Sequence, residues 1–344
     1  MTTIYVTHPR YVEHDFPGHP EHAGRIRAVW SALEANGLTR RMQAVEAKSV
    51  DPEAILAVHS PEYLELLKRV SAQDRTLRLD ADTYLGPDAY AVACLSAGGV
   101  VDAVNAVLSG GAQNGLAAVR PPGHHAMSDH GMGFCLLGNI AIAARHAQRQ
   151  FGLERILIVD YDVHHGNGTE AMFYTDPSVL FISTHQYPLY PGTGAVTDIG
   201  AGTGAGFTIN IPLPPGCGDA NYARVFEQVV KPAAERFQPQ LILVSAGFDA
   251  HWSDPLAQMR LTLSGYAHLT SELKRMAETL CDGRIVFVME GGYSLEALSG
   301  GISDIARILM GDAPVDGLGA APGTRSEPDI SALLDMLKRL HRLS

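Results

Sequence analysis

Short apolar runs alternate with longer helix-like stretches along most of this chain. Five runs are bounded by polar or turn residues, at 115–119, 155–159, 178–183, 240–245 and 284–289. The longer stretches lie at 90–108, 137–151, 219–237 and 264–280. Such short apolar runs are typical of buried strands, and their alternation with helices indicates a parallel sheet that is covered on both faces. The pattern therefore predicts an α/β fold with a central, mostly parallel sheet.

Chemically active side chains follow every one of the five runs. Histidines, acids, a hydroxyl or a tyrosine occur in the segments 120–125, 160–167, 183–185, 246–249 and 290–293. Open parallel sheets bind their ligands in a crevice beyond the carboxyl ends of the strands. The sequence therefore predicts one functional site, to which five strand ends contribute.

The length of 344 residues allows one large domain or two smaller ones. Residues 312–328 are rich in Gly, Ala and Pro and predict a loose connector. Residues 329–343 predict a short amphipathic helix. We expect residues 1–311 to form the main domain, with the connector and helix of 312–344 packed on that same domain.

Composition and charge narrow the class of protein. The chain is 46% hydrophobic and 18% charged, as in ordinary soluble domains, and its net charge of −11 argues against direct nucleic-acid binding. The N-terminal residues do not resemble a signal peptide, and we see no run near the 18 apolar residues of a membrane span. The four cysteines are scattered, which fits a reducing cytoplasm. We expect a cytoplasmic protein without membrane or nucleic-acid partners, and a homo-oligomer stays open.

Two acids and a histidine form the strongest candidate for a metal site. Asp160, Asp162 and His164 follow the second run at intervals of two, and residues two apart in an extended chain share one side. Asp249 follows the fourth run, after Gly247, which permits close approach of the backbone. The set Asp162, His164 and Asp249 would leave a coordination position free for water, as a catalytic site requires. Zn²⁺ is the default ion, and Fe²⁺ or Co²⁺ also suit an oxygen-rich site. The alternative is a loop acid and a helix cap.

A histidine pair and a tyrosine could supply the remaining chemistry. His124 and His125 follow Pro-Pro-Gly, and a histidine tandem can supply the base and the acid that metal-assisted hydrolysis needs. Asp160 and Asn167 are candidates to fix the imidazole tautomers. Tyr293 could donate a hydrogen bond to a developing oxyanion. Satisfied core histidines and a tyrosine that covers the sheet are the alternatives.

Cys135 lies between these motifs and has two interpretations. It could be a nucleophile, because it follows Gly-Phe in a loop that is rich in motifs. A small buried thiol is the favoured interpretation.

The motifs RPPGHHA, GFC, YDVHHGNGTE, SAGFDAHWSDP and EGGY occur in this order. Together they resemble the zinc-dependent histone deacetylase family, and the resemblance runs from residue 19 to about 309. It implies a three-layer, arginase-like α/β fold with helices on both faces of the sheet. It also implies an amidohydrolase that removes acetyl or other acyl groups from the ε-amine of acyl-lysine by means of a metal-activated water.

The resemblance assigns a role to each motif residue. The zinc ligands would be Asp162, His164 and Asp249. His125 would be the general base and acid, with His124 assisting electrostatically, and Tyr293 would polarise the acyl carbonyl.

Further roles rest on the same resemblance. Gly133 and Phe134 would form one wall of an acyl-lysine tunnel and Tyr190 the opposite wall, while Arg25 matches the arginine of an internal acetate channel. A monovalent cation, K⁺, would bind backbone carbonyls and a hydroxyl at Asp160, Asp162, His164, Ser183 and Thr184. A second K⁺ would lie near Phe173, Asp176, Val179 and Phe207.

Three positions place the chain within the family it resembles. Asn167 stands where class I members carry aspartate, which indicates a class II-type or bacterial histone deacetylase-like amidohydrolase. Tyr293 is present where a weakly active branch carries histidine. Leu256 stands where a polyamine-specific branch carries glutamate, which favours acyl-lysine as substrate. The aspartate that holds the substrate backbone matches either Asp80 or Asp82.

Three alternatives stay open at the level of sequence. The same chemistry could act on acetylated polyamines, as in acetylpolyamine amidohydrolases. A non-catalytic scaffold that binds acyl-lysine could retain the motifs. A manganese ureohydrolase could share the fold, although such enzymes need a binuclear site with more carboxylates.

Overall fold

The computed structural model describes residues 2–323 and 326–343. The strands are β1 (Thr3–Thr7), β2 (Gln43–Glu46), β3 (Leu77–Arg78), β4 (Tyr84–Leu85), β5 (Asn114–Ala117), β6 (Ile156–Asp160), β7 (Val179–Gln186), β8 (Thr208–Leu213), β9 (Leu241–Ala246) and β10 (Ile285–Met289). The α-helices are α1 (Gly24–Ala35), α2 (Pro52–Ile55), α3 (Pro61–Ser71), α4 (Ala89–Leu108), α5 (Asn139–Phe151), α6 (Asn167–Phe173), α7 (Asp219–Val225), α8 (Lys231–Phe237), α9 (Leu263–Leu280), α10 (Leu295–Met310) and α11 (Ser331–His341). One π-helical turn, Phe226–Val230, joins α7 to α8.

Eight strands form one sheet in the order β2-β1-β5-β10-β9-β6-β7-β8, with parallel pairing between neighbours. The predicted parallel sheet is therefore confirmed. The five strands expected from the apolar runs are β5, β10, β9, β6 and β7, which lie side by side. Their carboxyl ends consequently meet along one continuous edge, and Asp160 at the end of β6 pairs with Ser183 of β7 and Ser245 of β9.

The helices form two groups on the sheet. Helix α4 packs on α5, while α1 and α9 both pack on α10. Both α4 and α10 contact β1 and β5, so the sheet lies between two helical layers. The three-layer α/β architecture follows, because the strands are apolar on both faces and each face has to be covered.

Helix α4 corrects one expectation from the sequence. Its mean hydropathy of 1.8 makes it long and apolar enough to cross a membrane, so the expectation that no stretch approaches this size is wrong. The stretch was predicted as a helix at 90–108, but Asp102 and several small residues interrupt its apolar run. Of the apolar window, 72% is buried inside the fold, against β1, β5, β10 and α5. A helix that is apolar on all sides is typical of a protein core.

The segment after α10 lies against α7 and α9. Asp316 accepts hydrogen bonds from the backbone and hydroxyl of Ser264. Helix α11 buries Leu334 and Leu337. The division into a main domain of residues 1–311 and an appended segment of 312–344 stays a prediction, and its residues 1, 324, 325 and 344 lie outside the described residues.

Glu327 accepts three backbone hydrogen bonds at the start of α7, from Gly218 at 3.0 Å, Ala220 at 3.0 Å and Asn221 at 2.8 Å. These N–H groups have no partner within the helix, so we expect Glu327→Ala to lower the free energy of unfolding by about 1 kcal/mol, as for other helix caps. Urea denaturation measures the change. Glu227→Ala, at an exposed position of the same helical segment, is the control. Equal stability of the two variants would contradict the capping role.

Candidate active site

Asp162, His164 and Asp249 come together beyond the ends of β6 and β9. Their ligand atoms lie within 4.8 Å of one another, and all three residues are buried. His164 Nδ1 is 3.2 Å from Asp162 Oδ1 and 3.2 Å from Asp249 Oδ2. One imidazole and two carboxylates are a donor set that divalent ions such as Zn²⁺ accept. The three residues chosen from the sequence therefore form a candidate metal centre.

Backbone N–H groups fix the two carboxylates. Asp162 Oδ2 accepts from Gly291 N at 2.8 Å, and Asp249 Oδ1 accepts from Val163 N at 2.8 Å. A Cβ atom on Gly247 would overlap the Asp162 carboxylate, and one on Gly291 would overlap the carboxylates of both acids. These glycines are therefore required by the close approach of the backbone to the site.

The electrostatics of the three residues favour a cation between them. Burial alone lowers the pKa of His164, but its hydrogen bonds to Asp162 and Asp249 outweigh burial and raise that pKa to about 10. Burial and the neighbouring Asp162 raise the pKa of Asp249 to about 7. The raised pKa values of His164 and Asp249 mean that the cluster favours a bound proton in the absence of metal. A metal ion must displace that proton to coordinate the imidazole of His164.

The histidine pair is held by two different partners. His124 Nδ1 lies 3.0 Å from Asp160 Oδ2, whereas His125 Nδ1 lies 2.7 Å from Asn167 Oδ1. An amide oxygen only accepts, so His125 Nδ1 carries the proton and Nε2 keeps a free lone pair. The rings of His124 and His125 are tilted by 40° to each other, with 4.0 Å between their centroids.

The two histidines differ in charge because their surroundings differ. Burial opposes a charge on His124, but Asp162 and Asp160 outweigh burial and hold its pKa well above the ordinary value. Burial and the neighbouring His124 and His164 hold the pKa of His125 well below the ordinary value. The pair therefore consists of an imidazolium and a neutral imidazole.

Tyr293 closes the site on the side of β10. Its backbone N–H donates to Asp254 Oδ2 at 2.7 Å, and the guanidinium carbon of Arg25 lies 5.1 Å from the centroid of its ring. Burial raises the pKa of the Tyr293 phenol well above its ordinary value, and Arg25 opposes this shift. The hydroxyl is therefore protonated at neutral pH and can donate a hydrogen bond.

A pocket of 270 Å³ leads to these groups from the surface. Its lining includes every residue predicted for the substrate tunnel, namely Gly133, Phe134, Tyr190 and Leu256. His125, His164 and Tyr293 also line it, so the pocket reaches the candidate metal centre. The Tyr190 ring meets the His125 ring edge to face at 5.2 Å, and Phe134 meets Tyr293 similarly at 5.8 Å.

The structure separates the two rim aspartates that the sequence left open. Asp80 Oδ1 accepts from the backbone N–H groups of Asp82 and Thr83, so Asp80 holds a turn. Asp82 lines the pocket. Asp82 is therefore the better candidate for contacting a substrate.

A comparison with protein families shows to which family this chain belongs. Residues 19–309 match the model of the histone deacetylase domain. The chain belongs to the histone deacetylase family. Family members are metal-dependent hydrolases, and the chain is accordingly an enzyme of the deacetylase and amidohydrolase type.

Relatives of this deacetylase occur in plants, bacteria and archaea. Histone deacetylase 14 of Arabidopsis thaliana, a chloroplastic protein, is 44% identical over 87% of this chain and 74% of its own length. The histone deacetylase-like amidohydrolase of Pseudomonas aeruginosa is 44% identical over 80% of this chain and 73% of its own length. The crystal structure of the HDA15 HD domain is 34% identical, with a TM-score of 0.89, over 99% of this chain and 93% of that one.

Arg25 and the predicted cation sites lie deeper in the deacetylase. Arg25 is fully buried behind Tyr293. The residues predicted for the first K⁺ site are likewise buried, and Thr184 Oγ1 lies 3.5 Å from the carbonyl oxygen of Asp160. At the predicted second site, Phe173 O accepts from Asp176 N. These roles stay predictions.

Cys135 belongs to a second buried cluster with His124 and Glu290, whose potential ligand atoms also lie within 4.8 Å of one another. Glu290 already accepts from the backbone of Gly123, and His124 Nδ1 pairs with Asp160. Burial raises the pKa of the Cys135 thiol well above its ordinary value, which supports the interpretation as a buried thiol. The cluster holds one carboxylate, fewer than a binuclear ureohydrolase site needs.

Two acids near the site were not among the site residues predicted from the sequence. Asp254 accepts from the backbone of Tyr293 and, through its other oxygen, from Leu256 N at 2.9 Å. Glu21 lies between Arg25 and Arg120. Asp254 stands in the SAGFDAHWSDP motif and Glu21 in His-Pro-Glu, so the motifs themselves were the available signal.

We expect Gly291→Ala to weaken binding of Zn²⁺ at least about tenfold, since the added Cβ would overlap the carboxylates of Asp162 and Asp249 and displace them. Titration of the metal-free protein against a competing chelator measures the affinity. Gly317→Ala is the matched control, because a Cβ there meets open space. Unchanged affinity in Gly291→Ala would show that the metal binds elsewhere.

Proposed function

We propose that this enzyme is a zinc-dependent deacetylase that hydrolyses the amide of an acyl group on the ε-amine of lysine. The observation that carries the proposal is the meeting, at one end of a narrow pocket, of the metal cluster, the histidine pair and Tyr293. Each of these groups has a distinct part in the hydrolysis of an amide.

Asp162, His164 and Asp249 would hold the metal, because they offer two oxygens and one nitrogen within reach of a single ion. A bound divalent ion supplies Lewis-acid polarisation of the acyl carbonyl and lowers the pKa of water. Zn²⁺ is the favoured ion, and Fe²⁺ or Co²⁺ also suit this donor set.

His125 is suited to move the proton. It is neutral, and its hydrogen bond to Asn167 leaves Nε2 free to accept a proton from the attacking water. The same nitrogen then returns the proton to the leaving amine. His124 stays charged beside Asp160 and adds positive charge near the reacting carbonyl.

Tyr293 is suited to stabilise negative charge on the acyl oxygen. Its phenol is protonated and Tyr293 lines the same pocket, following β10, which β9 separates from β6 in the sheet. Hydrogen bonds of this kind, made to charge that develops in the transition state, contribute about 3–4 kcal/mol each.

The pocket wall is suited to an unbranched aliphatic chain. Phe134, Leu189, Tyr190 and Leu256 provide apolar surface that the methylene groups of lysine can contact. Asp82 on the same pocket can accept hydrogen bonds from the backbone of a peptide. Acyl-lysine in proteins or peptides is therefore the proposed substrate.

Acetylated polyamines are the alternative substrate. The mouse relative is named polyamine deacetylase HDAC10 and is 41% identical over 84% of this chain, although this chain covers 44% of that protein's length. The apolar Leu256 at the pocket favours lysine over a cationic polyamine, which gains from a carboxylate there. We further propose bound K⁺, a cytoplasmic location, and the absence of nucleic-acid and membrane partners; a homo-oligomer stays open.

We expect the purified, Zn²⁺-loaded enzyme to release acetate from acetyl-lysine peptides faster than from N-acetylputrescine, and a chelator to abolish the release. In the same assay, His125→Ala and Tyr293→Phe each lower kcat at least about a hundredfold, the scale of losing an acid–base group or an oxyanion donor. Tyr187→Phe, at an exposed tyrosine, is the control. Acyl-amine binding without acetate release would instead favour the scaffold alternative.

Leu256→Glu tests the choice of substrate. A carboxylate at this position attracts a cationic substrate, so we expect the ratio of kcat/KM for N-acetylputrescine to that for acetyl-lysine peptide to rise about tenfold. Glutamine has the shape of glutamate without its charge, so Leu256→Gln should leave the ratio nearly unchanged. An equal rise in both variants would mean that shape, rather than charge, decides the choice.

A further inference from the structure

Glu21 is a fully buried carboxylate that is shared by two fully buried arginines. Its Oε1 accepts from Arg120 Nε at 2.5 Å and from Arg25 Nη1 at 3.1 Å, while its Oε2 accepts from Arg120 Nη2 at 2.7 Å. The two bonds from Arg120 form a bidentate pair, which fixes the carboxylate in the plane of that guanidinium. Arg120 is itself held by a hydrogen bond to the Tyr11 carbonyl.

Arg25 in turn contacts the segment that carries Tyr293. Its Nη2 donates to the Glu290 carbonyl at 2.5 Å, and its Nε donates to the Gly292 carbonyl at 2.8 Å. Its guanidinium carbon also lies 5.1 Å from the centroid of the Tyr293 ring, within the range of a cation–π contact. Arg25 therefore contacts the backbone before Tyr293 and the face of its ring at once.

The charge on Glu21 is what allows Arg25 to lie there. Burial opposes that charge, but Arg120 and Arg25 outweigh burial and lower the pKa of Glu21 to about 2. Without the carboxylate, two guanidinium groups would be buried with no anion between them, which is strongly unfavourable. Because Arg25 is also bonded to the Glu290 and Gly292 carbonyls, a shift of its guanidinium after loss of Glu21 would move the segment that carries Tyr293.

We propose that Glu21 is a positioning residue of the deacetylation reaction, which acts through Arg25 on the placement of the Tyr293 phenol. This inference rests on the proposed function, because Tyr293 has to stabilise the acyl oxygen for its placement to affect the rate. Displacement of a catalytic group by about 1 Å can cost a hundredfold in rate. Glu21 thereby links the turn that begins at Arg120 to the opposite side of the site.

A double-mutant cycle tests the proposal with the Zn²⁺-loaded enzyme. We expect Glu21→Gln to lower kcat on an acetyl-lysine peptide at least about tenfold, with KM changed less than about threefold. In the Tyr293→Phe background, where the phenol is absent, the same substitution should lower kcat less than about threefold. Equal losses in the two backgrounds would overturn the proposal and leave the proposed function intact.

Two further variants separate positioning from stability. Asp304→Asn breaks another largely buried ion pair, to Arg307 at 2.7 Å, and should lower the melting temperature without changing kcat. If Glu21→Gln does not fold, Arg120→Lys replaces it in the cycle, since lysine keeps the charge but loses the bidentate grip. Unfolding of both would assign Glu21 to stability and overturn the positioning role. A wild-type enzyme that releases no acetate would overturn the proposed function and this inference together.

Discussion

The burial of negative charge at one edge of a parallel sheet is the constraint on which this structure depends. Four fully buried acids lie at or just beyond neighbouring strand ends: Asp160, Asp162, Asp249 and Glu290. Isolated buried carboxylates are very costly, so each must be paired, hydrogen-bonded or bound to a cation. The structure shows the first two means, since His124 and His164 pair with the acids and backbone N–H groups donate to them. The cluster of Asp162, His164 and Asp249 is in addition suited to a metal.

The same constraint explains why glycine is so frequent in the motifs. Where the main chain passes directly over a buried carboxylate, there is no room for a Cβ atom. Gly166 lies against Asp160, Gly247 against Asp162, and Gly291 against the carboxylates of Asp162 and Asp249. Of these three glycines, Gly291 also donates its backbone N–H to Asp162 Oδ2. Glycine is required at these positions by the close approach of the backbone to the acids.

Much of the fold could be predicted because the central strands are short, apolar and fully buried. The five expected strands match β5, β6, β7, β9 and β10 to within a few residues. Three strands of the large sheet were missed, namely β1, β2 and β8. Of these, β2 is a largely exposed edge strand of four residues, and β1 lies close to the N-terminus without a chemical motif behind it. The strand β8, with the sequence TINIPL, contains a proline that weakens the pattern.

The site could be predicted as far as its residues follow apolar runs. Asp162, His164 and Asp249 were chosen in this way, and the structure brings them together. Glu21 and Arg120 are 99 positions apart, and their contact depends on packing that no local pattern records. Asp254 stands in a recognised motif, but its role could not be predicted because its partners are backbone N–H groups, which residue types do not reveal.

The charge of each of the two histidines depends on whether its hydrogen-bond partner is a carboxylate or an amide. His124 pairs with the carboxylate of Asp160, which raises its pKa, whereas the bond to the amide of Asn167 raises the pKa of His125 too little to offset burial and the neighbouring histidines. Burial and the repulsion that an imidazolium would feel from a charged His124 both lower the pKa of His125 and favour its neutral form. An aspartate at position 167 would oppose this division by favouring charge on both rings. The asparagine therefore helps to assign the task of accepting a proton to His125, because one member of the pair can remain a base only while the other holds the charge.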